Sequence, residues 1–86
     1  MLNKHIKLSQ HAKIRATFRG ATEEEIIDAI KTSPWQPSEL NKLECRKDFV
    51  FNSIWNKKFY KTKQIRPIFI EEEKEIMVIT VYVYYF

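Results

Sequence analysis

Ser9-Gln10-His11-Ala12-Lys13-Ile14-Arg15-Ala16-Thr17-Phe18-Arg19-Gly20-Ala21-Thr22-Glu23-Glu24-Glu25-Ile26 carries the start and stop of one helix and the start of a second. Ser9 suits an N-cap, since its hydroxyl oxygen can accept from an orphan N–H of the first turn. Gly20 is the single glycine of the chain and stands where a helix wants a left-handed residue after its last turn. The first helix is therefore expected from about Gln10 to Arg19. Thr22 and Glu25 have capping-box spacing, and Glu23, Glu24 and Glu25 together meet the positive end of the helix dipole. A second helix should follow from Glu23 to about Lys31, burying Ile26, Ile27 and Ile30 and ending at Ser33-Pro34.

Working outward, residues 3–8 alternate polar and apolar, which suits a short strand with Ile6 and Leu8 on one face. Between Pro34 and Glu44 two prolines and the lack of a period predict a connecting loop, with Trp35 as its anchor to the core. From Cys45 onward strand formers dominate, with turns expected at Asn56-Lys57-Lys58 and at Glu72-Glu73-Lys74-Glu75. Pro67 cannot donate to a ladder and is expected at an edge or a bulge. Simple alternation along the last strand puts Met77, Ile79, Val81 and Val83 in the core, and Ile76, Val78, Thr80, Tyr82 and Tyr84 on the other face. The expected class is α+β, in the order β-α-α-β-β-β, with two helices packed on a three- to four-stranded antiparallel sheet.

The chain has 86 residues, enough for one domain with a modest core and no enclosed cofactor site. Fifteen Lys and Arg against 11 Asp and Glu give a formal charge of +4, which favours a polyanionic partner. Cys45 stands alone, so no internal disulfide is possible and its simplest role is that of a small buried hydrophobe. The apolar run from Ile76 to Phe86 is too short to cross ~30 Å of hydrocarbon as a helix, so no membrane association and a cytoplasmic location are expected. His5, His11 and Cys45 are the only soft metal ligands and their spacing does not gather them, so no metal and no cofactor is expected.

His11, Arg15 and Arg19 recur every fourth residue and form a row along one flank of the first helix. On a wheel of ~100° per residue, Ile14 and Phe18 fall to one side of His11 and the two arginines to the other. That arrangement predicts Ile14 and Phe18 in the core, His11 at its margin, and Lys13 and Thr17 in solvent. The arginines can serve phosphate, or can pair with Glu24, Glu25 or Asp28 of the second helix.

The string Ser9-x-His11-Ala12-x-x-Arg15-x-x-x-Arg19-Gly20-x-Thr22-x-x-Glu25-Ile26 resembles the opening of a small bacterial domain family grouped with RelE/ParE and BrnT-like type II toxins. The resemblance continues at Lys63-Gln64-Ile65-Arg66, closes at Ile79-Thr80-Val81-Tyr82, and so touches nearly the whole chain. It implies a RelE/ParE-like fold, a cognate antitoxin as partner, and RNA, including ribosome-bound mRNA, as target. RNA cleavage by attack of a 2′-hydroxyl needs a base, an acid and positive charge near the phosphorane oxygens, and no metal. Histidine titrates near neutral pH, which makes His11 a candidate for proton transfer beside Lys63 and Tyr82. Arg15, Arg19 and Arg66 are candidates for phosphate, and Tyr60 and Thr80 for the RNA chain. Better-known RelE-type ribonucleases carry their working residues on the sheet, often without a helix histidine, so a non-catalytic module that holds nucleic acid or protein remains open. So does a plain interaction domain pairing through a sheet edge.

Overall fold

A computed structural model describes residues 4–86. It is α+β: two helices cover one face of a six-stranded mixed sheet. Strand β1 (His5–Leu8) leads into α1 (Gln10–Arg19) and α2 (Glu23–Thr32). Two short strands follow, β2 (Gln36–Pro37) and β3 (Leu43–Glu44), and then three long ones, β4 (Lys47–Trp55), β5 (Lys58–Glu71) and β6 (Glu75–Tyr85). The order across the sheet is β1-β6-β5-β3-β2, with β4 also paired to β5. β1 runs parallel to β6 and the other pairs are antiparallel.

Both helices form where their caps place them. The Ser9 hydroxyl accepts from the Ala12 N–H, and Gly20, at φ 83°, donates its N–H to the Ala16 carbonyl. Thr22 and Glu25 complete a reciprocal capping box, and the chain leaves α2 at Ser33. Ile26, Ala29 and Ile30 of α2 join Ile65, Phe69, Ile76, Val78 and Val81 of the sheet in one buried cluster. Trp35 docks as expected: its indole N–H donates to the Ile30 carbonyl at 2.8 Å and its ring meets Phe69 edge-on at 5.0 Å. Asn56 and Lys57, both at positive φ, make the tight β4–β5 turn. Ile6 and Leu8 are buried in β1, while Asn3, expected at its start, lies outside the described residues.

Five expectations change. The sheet has six strands and is mixed, where three or four antiparallel strands were expected, because β1 lies parallel beside β6 and the segment before Cys45 adds the short strands β2 and β3. α1 does not bury Ile14 and Phe18, which are 46% and 74% exposed; Ala12 and Ala16 face the core instead. The rotation of the helix is fixed by its ends, because Ser9 Oγ donates to the Ile79 carbonyl and Arg19 Nη1 to the Val81 carbonyl. β1 pairs with β6 only through Val78, so these two groups satisfy β6 carbonyls beyond the end of that ladder. Two small alanines then let α1 approach β6 closely, and the bulky side chains are turned outward.

The faces of β6 also differ from simple alternation. Ile68 pairs with Thr80 but Phe69 pairs with Val78, which leaves Ile79 as an extra residue. Such a bulge shifts the side-chain phase by one. Ile76 and Val78 therefore join Val81 in the core, while Tyr82 and Tyr84 stay exposed.

The segment from Pro34 to Glu44 is not a plain loop, for it holds β2, β3 and between them a 3₁₀ turn, Glu39–Asn41. Pro67 lies neither at a sheet edge nor in the β6 bulge. It is fully buried inside β5, paired with Val81. On its other side β3 and β4 follow one continuous register against β5, broken only at Cys45 and Arg46. The break falls opposite the residue that has no N–H to give.

Around Gly20 the packing is close. Tyr85, the last residue of β6, donates its hydroxyl to the Arg19 carbonyl at 2.6 Å and stacks on Trp55 at 4.9 Å. A Cβ at Gly20 would meet the Tyr85 hydroxyl and Trp55 ring at clashing distances. Gly20→Ala thus combines a left-handed backbone penalty with overpacking and should destabilise the protein by about 2–4 kcal/mol. Urea denaturation checks this, and a loss below about 0.5 kcal/mol would show that the corner is slack.

Candidate functional site

The outer face of the sheet, opposite the helices, carries the site. Glu44 pairs in register with Ile68 and Ile68 with Thr80, and the next row joins Arg66 to Tyr82. These side chains floor an open groove of about 570 Å³, and residues of the β2–β3 connection, including Ser38, Leu40 and Lys42, form its wall. The volume is in the range of small-ligand sites.

Arg66 organises the floor. Its Nε donates to Glu44 Oε2 at 3.0 Å, its Nη2 to Glu44 Oε1 at 2.7 Å, and its Nη1 to the Tyr84 hydroxyl at 3.2 Å. This fork holds the Glu44 carboxyl below its ordinary range against the opposing effect of burial. The same hydrogen bonds push the Arg66 guanidinium up, so the pair stays fully ionised. Arg46 adds a looser contact to Glu44 at 3.8 Å.

Two arginines converge on one ring. The guanidinium of Arg66 lies 5.3 Å from the Tyr82 centroid, and that of Arg19, reaching over from α1, lies 5.0 Å from it. Tyr82 remains 39% exposed between these groups. The cluster joins two guanidinium groups and one aromatic ring at the edge of the groove.

The remaining candidates separate from this cluster. His11, expected at the core margin, is exposed because α1 is rotated, as is Arg15; they lie about two turns and one turn back from Arg19 along the same flank of α1, and neither has a hydrogen bond or ion pair among the described residues. Of the α2 acids expected as partners for the arginines, Glu25 is taken by Lys63 at 2.9 Å and Asp28 by Lys47 at 2.8 Å, and Glu24 has no ion pair among the described residues. Lys63 lies on the helix side of the sheet, 7% exposed, where its ammonium also donates to the Gly20 carbonyl at 2.9 Å. Tyr60 belongs to an aromatic cluster around Tyr85, 5.8 Å between ring centroids. Thr80 does line the groove, beside Arg66 and Tyr82. Cys45 is fully buried, and desolvation pushes its thiol up to about 12, as suits an inert packing residue.

Glu44 is the residue that sequence reasoning missed. It sits in a two-residue strand inside the presumed loop, and its only local signal is the alternation Leu43-Glu44-Cys45, which turns an acid away from the core between two inward apolar residues. Comparison with protein-family models, with curated proteins and with solved structures finds no match to this chain.

The depressed Glu44 carboxyl stabilises the fold above the unfolded-state value near ~4.3, and that contribution is lost as pH falls through the lower folded value. Glu44→Gln should cost about 2 kcal/mol at pH 7. The gap to the parent protein should narrow as pH falls below ~5. Urea melts of the two proteins across that range test the sign: a gap that widens in acid would contradict the ion-pair assignment.

Proposed function

We propose that this chain is a RelE/ParE-type toxin domain that cleaves single-stranded RNA without a metal, by attack of the RNA's own 2′-hydroxyl, and that a cognate antitoxin restrains it. The reading is carried by the convergence of Arg19 and Arg66 on the exposed ring of Tyr82, beside a groove of nucleotide size. Tyr82 offers a stacking face, and Arg19 offers the charge that a phosphorane needs. Its Nη1 is held by the Val81 carbonyl, which fixes the fork in place.

His11 supplies proton transfer in this reading, exposed on the same flank of α1 with Arg15 between it and Arg19. Arg15 tracks the backbone of the strand as it leaves the groove. Lys63 is assigned to structure rather than to chemistry, because its ammonium already holds the Gly20 carbonyl and Glu25. Tyr60 likewise serves the aromatic cluster around Tyr85.

The test is cleavage of a single-stranded RNA, and of mRNA on ribosomes, by purified protein at low salt with a chelator present. Products should end in a cyclic phosphate. His11→Ala and Tyr82→Ala should each slow cleavage by roughly a hundredfold or more. Intact RNA, or variants that cut as fast as the parent, overturns the nuclease. The ion-paired state of Arg66 favours a second reading, a non-catalytic RNA-binding module. In that case RNA is bound but uncut, and Arg15→Ala and Arg19→Ala each reduce the salt slope of binding by about one unit.

A further inference from the structure

The side of α1 that faces away from the sheet carries an apolar ridge between cations. Ala12 and Ala16 take the side that packs on β6 and β1. At ~100° per residue the opposite side centres on Ile14 and Phe18, one turn apart. They are 46% and 74% exposed. Neighbours in sequence fall ~100° to either side of Ile14, so Lys13 borders the ridge on one flank and Arg15, with His11 a turn before it, on the other. All three are exposed, and none of their side chains has a hydrogen bond or ion pair among the described residues.

The stability of the helix does not call for this arrangement. α1 has no Asp or Glu from Gln10 to Arg19, so its first turn lacks the acid that the dipole favours, whereas α2 begins with three. No carboxylate stands four residues from Lys13 or Arg15 to support them along the helix. Phe18 leaves most of its apolar surface in water, where it contributes little to the core. The helix cannot turn to bury it, because Ser9 and Arg19 hold both ends of α1 to β6.

We infer that this face docks an acidic amphipathic helix of another polypeptide, whose apolar stripe covers Ile14 and Phe18 and whose carboxylates, on both borders of that stripe, reach Lys13 on one flank and Arg15 and His11 on the other. A helix suits the ridge, since rows of residues four apart seat in the grooves of a facing helix. Charges that border an apolar seam select the partner, as they do in coiled coils. Two other occupants fit less well. A second copy laid α1 on α1 would set Lys13 and Arg15 against like charges. A nucleic acid would match the cations, but the branched aliphatic Ile14 offers a base no flat face to stack on. The docking does not depend on the nuclease reading. One consequence rests on it: the partner helix covers His11 and Arg15, so docking and RNA exclude one another on this flank.

The probe is a synthetic helical peptide of about 18 residues, with leucines four apart and glutamates on both borders of that stripe. Its controls are a scrambled peptide of the same composition and a version with lysine for every glutamate. Fluorescence anisotropy with the intact chain should show the amphipathic peptide binding roughly tenfold or more tightly than the scrambled one, and no binding of the lysine version. Phe18→Ser should weaken binding by roughly tenfold and Lys13→Glu by roughly fivefold, and Phe18→Ser should melt with the parent because its side chain lies outside the core. Absence of binding overturns the inference, as does equal binding of the scrambled peptide or binding that survives Phe18→Ser. It is also overturned if Phe18→Ser weakens a single-stranded RNA by tenfold and the peptide not at all, which gives the ridge to RNA. A parent that sediments as a dimer and becomes a monomer as Phe18→Ser gives it to a second copy, with the same result. Peptide binding by a protein that neither binds nor cuts RNA keeps this inference and removes the nuclease, and cleavage by a protein that ignores the peptide does the reverse.

Discussion

The buried ammonium of Lys63 is the constraint on which the helix layer depends. It reaches from the middle strand of the sheet to the Gly20 carbonyl at the end of α1 and to the Glu25 carboxylate at the start of α2. One cation thus meets the negative end of one helix and the capping acid of the next. Glu25 in turn uses its other oxygen to accept from the Thr22 N–H, so the capping box and the ion pair share a single side chain. A lysine that is 7% exposed must have its charge and donors satisfied, and here the helix corner does so. The corner fixes where α1 ends, and the end of α1 fixes Arg19, whose carbonyl is held by Tyr85 and whose guanidinium is held by Val81.

From that corner the outer face follows by way of two irregularities. The extra residue at Ile79 changes which side chains β6 shows to the helices, so apolar residues face the core along the whole strand while Thr80 and Tyr82 line the groove. Pro67 interrupts the ladder on the other side of β5, and Arg66, its neighbour, points away from the core toward Glu44. Neither departure from regular pairing leaves a buried polar side-chain atom without a partner among the described residues. Departures from regular pairing that re-aim side chains are a common way for a sheet to build a binding face.

How much of this was legible depends on the range of the signal. Both helices are encoded by contacts within four residues, so Ser9, Gly20, Thr22 and Glu25 announce them in the sequence. The β4–β5 turn is equally local, with Asn56 and Lys57 free to take positive φ. The rotation of α1 is not local. It is set by carbonyls more than sixty residues away in β6, so a wheel weighted by Ile14 and Phe18 points the wrong face inward. The phase of β6 fails for a similar reason, because a bulge in a run of strand formers has no composition mark. Of the candidate residues, Arg19, Arg66, Thr80 and Tyr82 lie in or beside one groove, whereas Lys63 lies behind the sheet and Tyr60 with Tyr85. Glu44 could be found only once β3 was known to pair with β5.

The pairing of Arg66 with Glu44 does not simply commit the groove's best cation to structure; it preorganises that cation. A free arginine on a strand would sample many rotamers and would have to be ordered by each ligand it met. Held at Nε and Nη2 by one carboxylate and at Nη1 by Tyr84, it presents a fixed plane beside Tyr82. Net attraction for an anion then falls to Arg19 and Lys42, which have no carboxylate partner among the described residues. The groove therefore combines a neutral, rigid Arg66–Glu44 pair in its floor with peripheral cations that stay free to attract an anion.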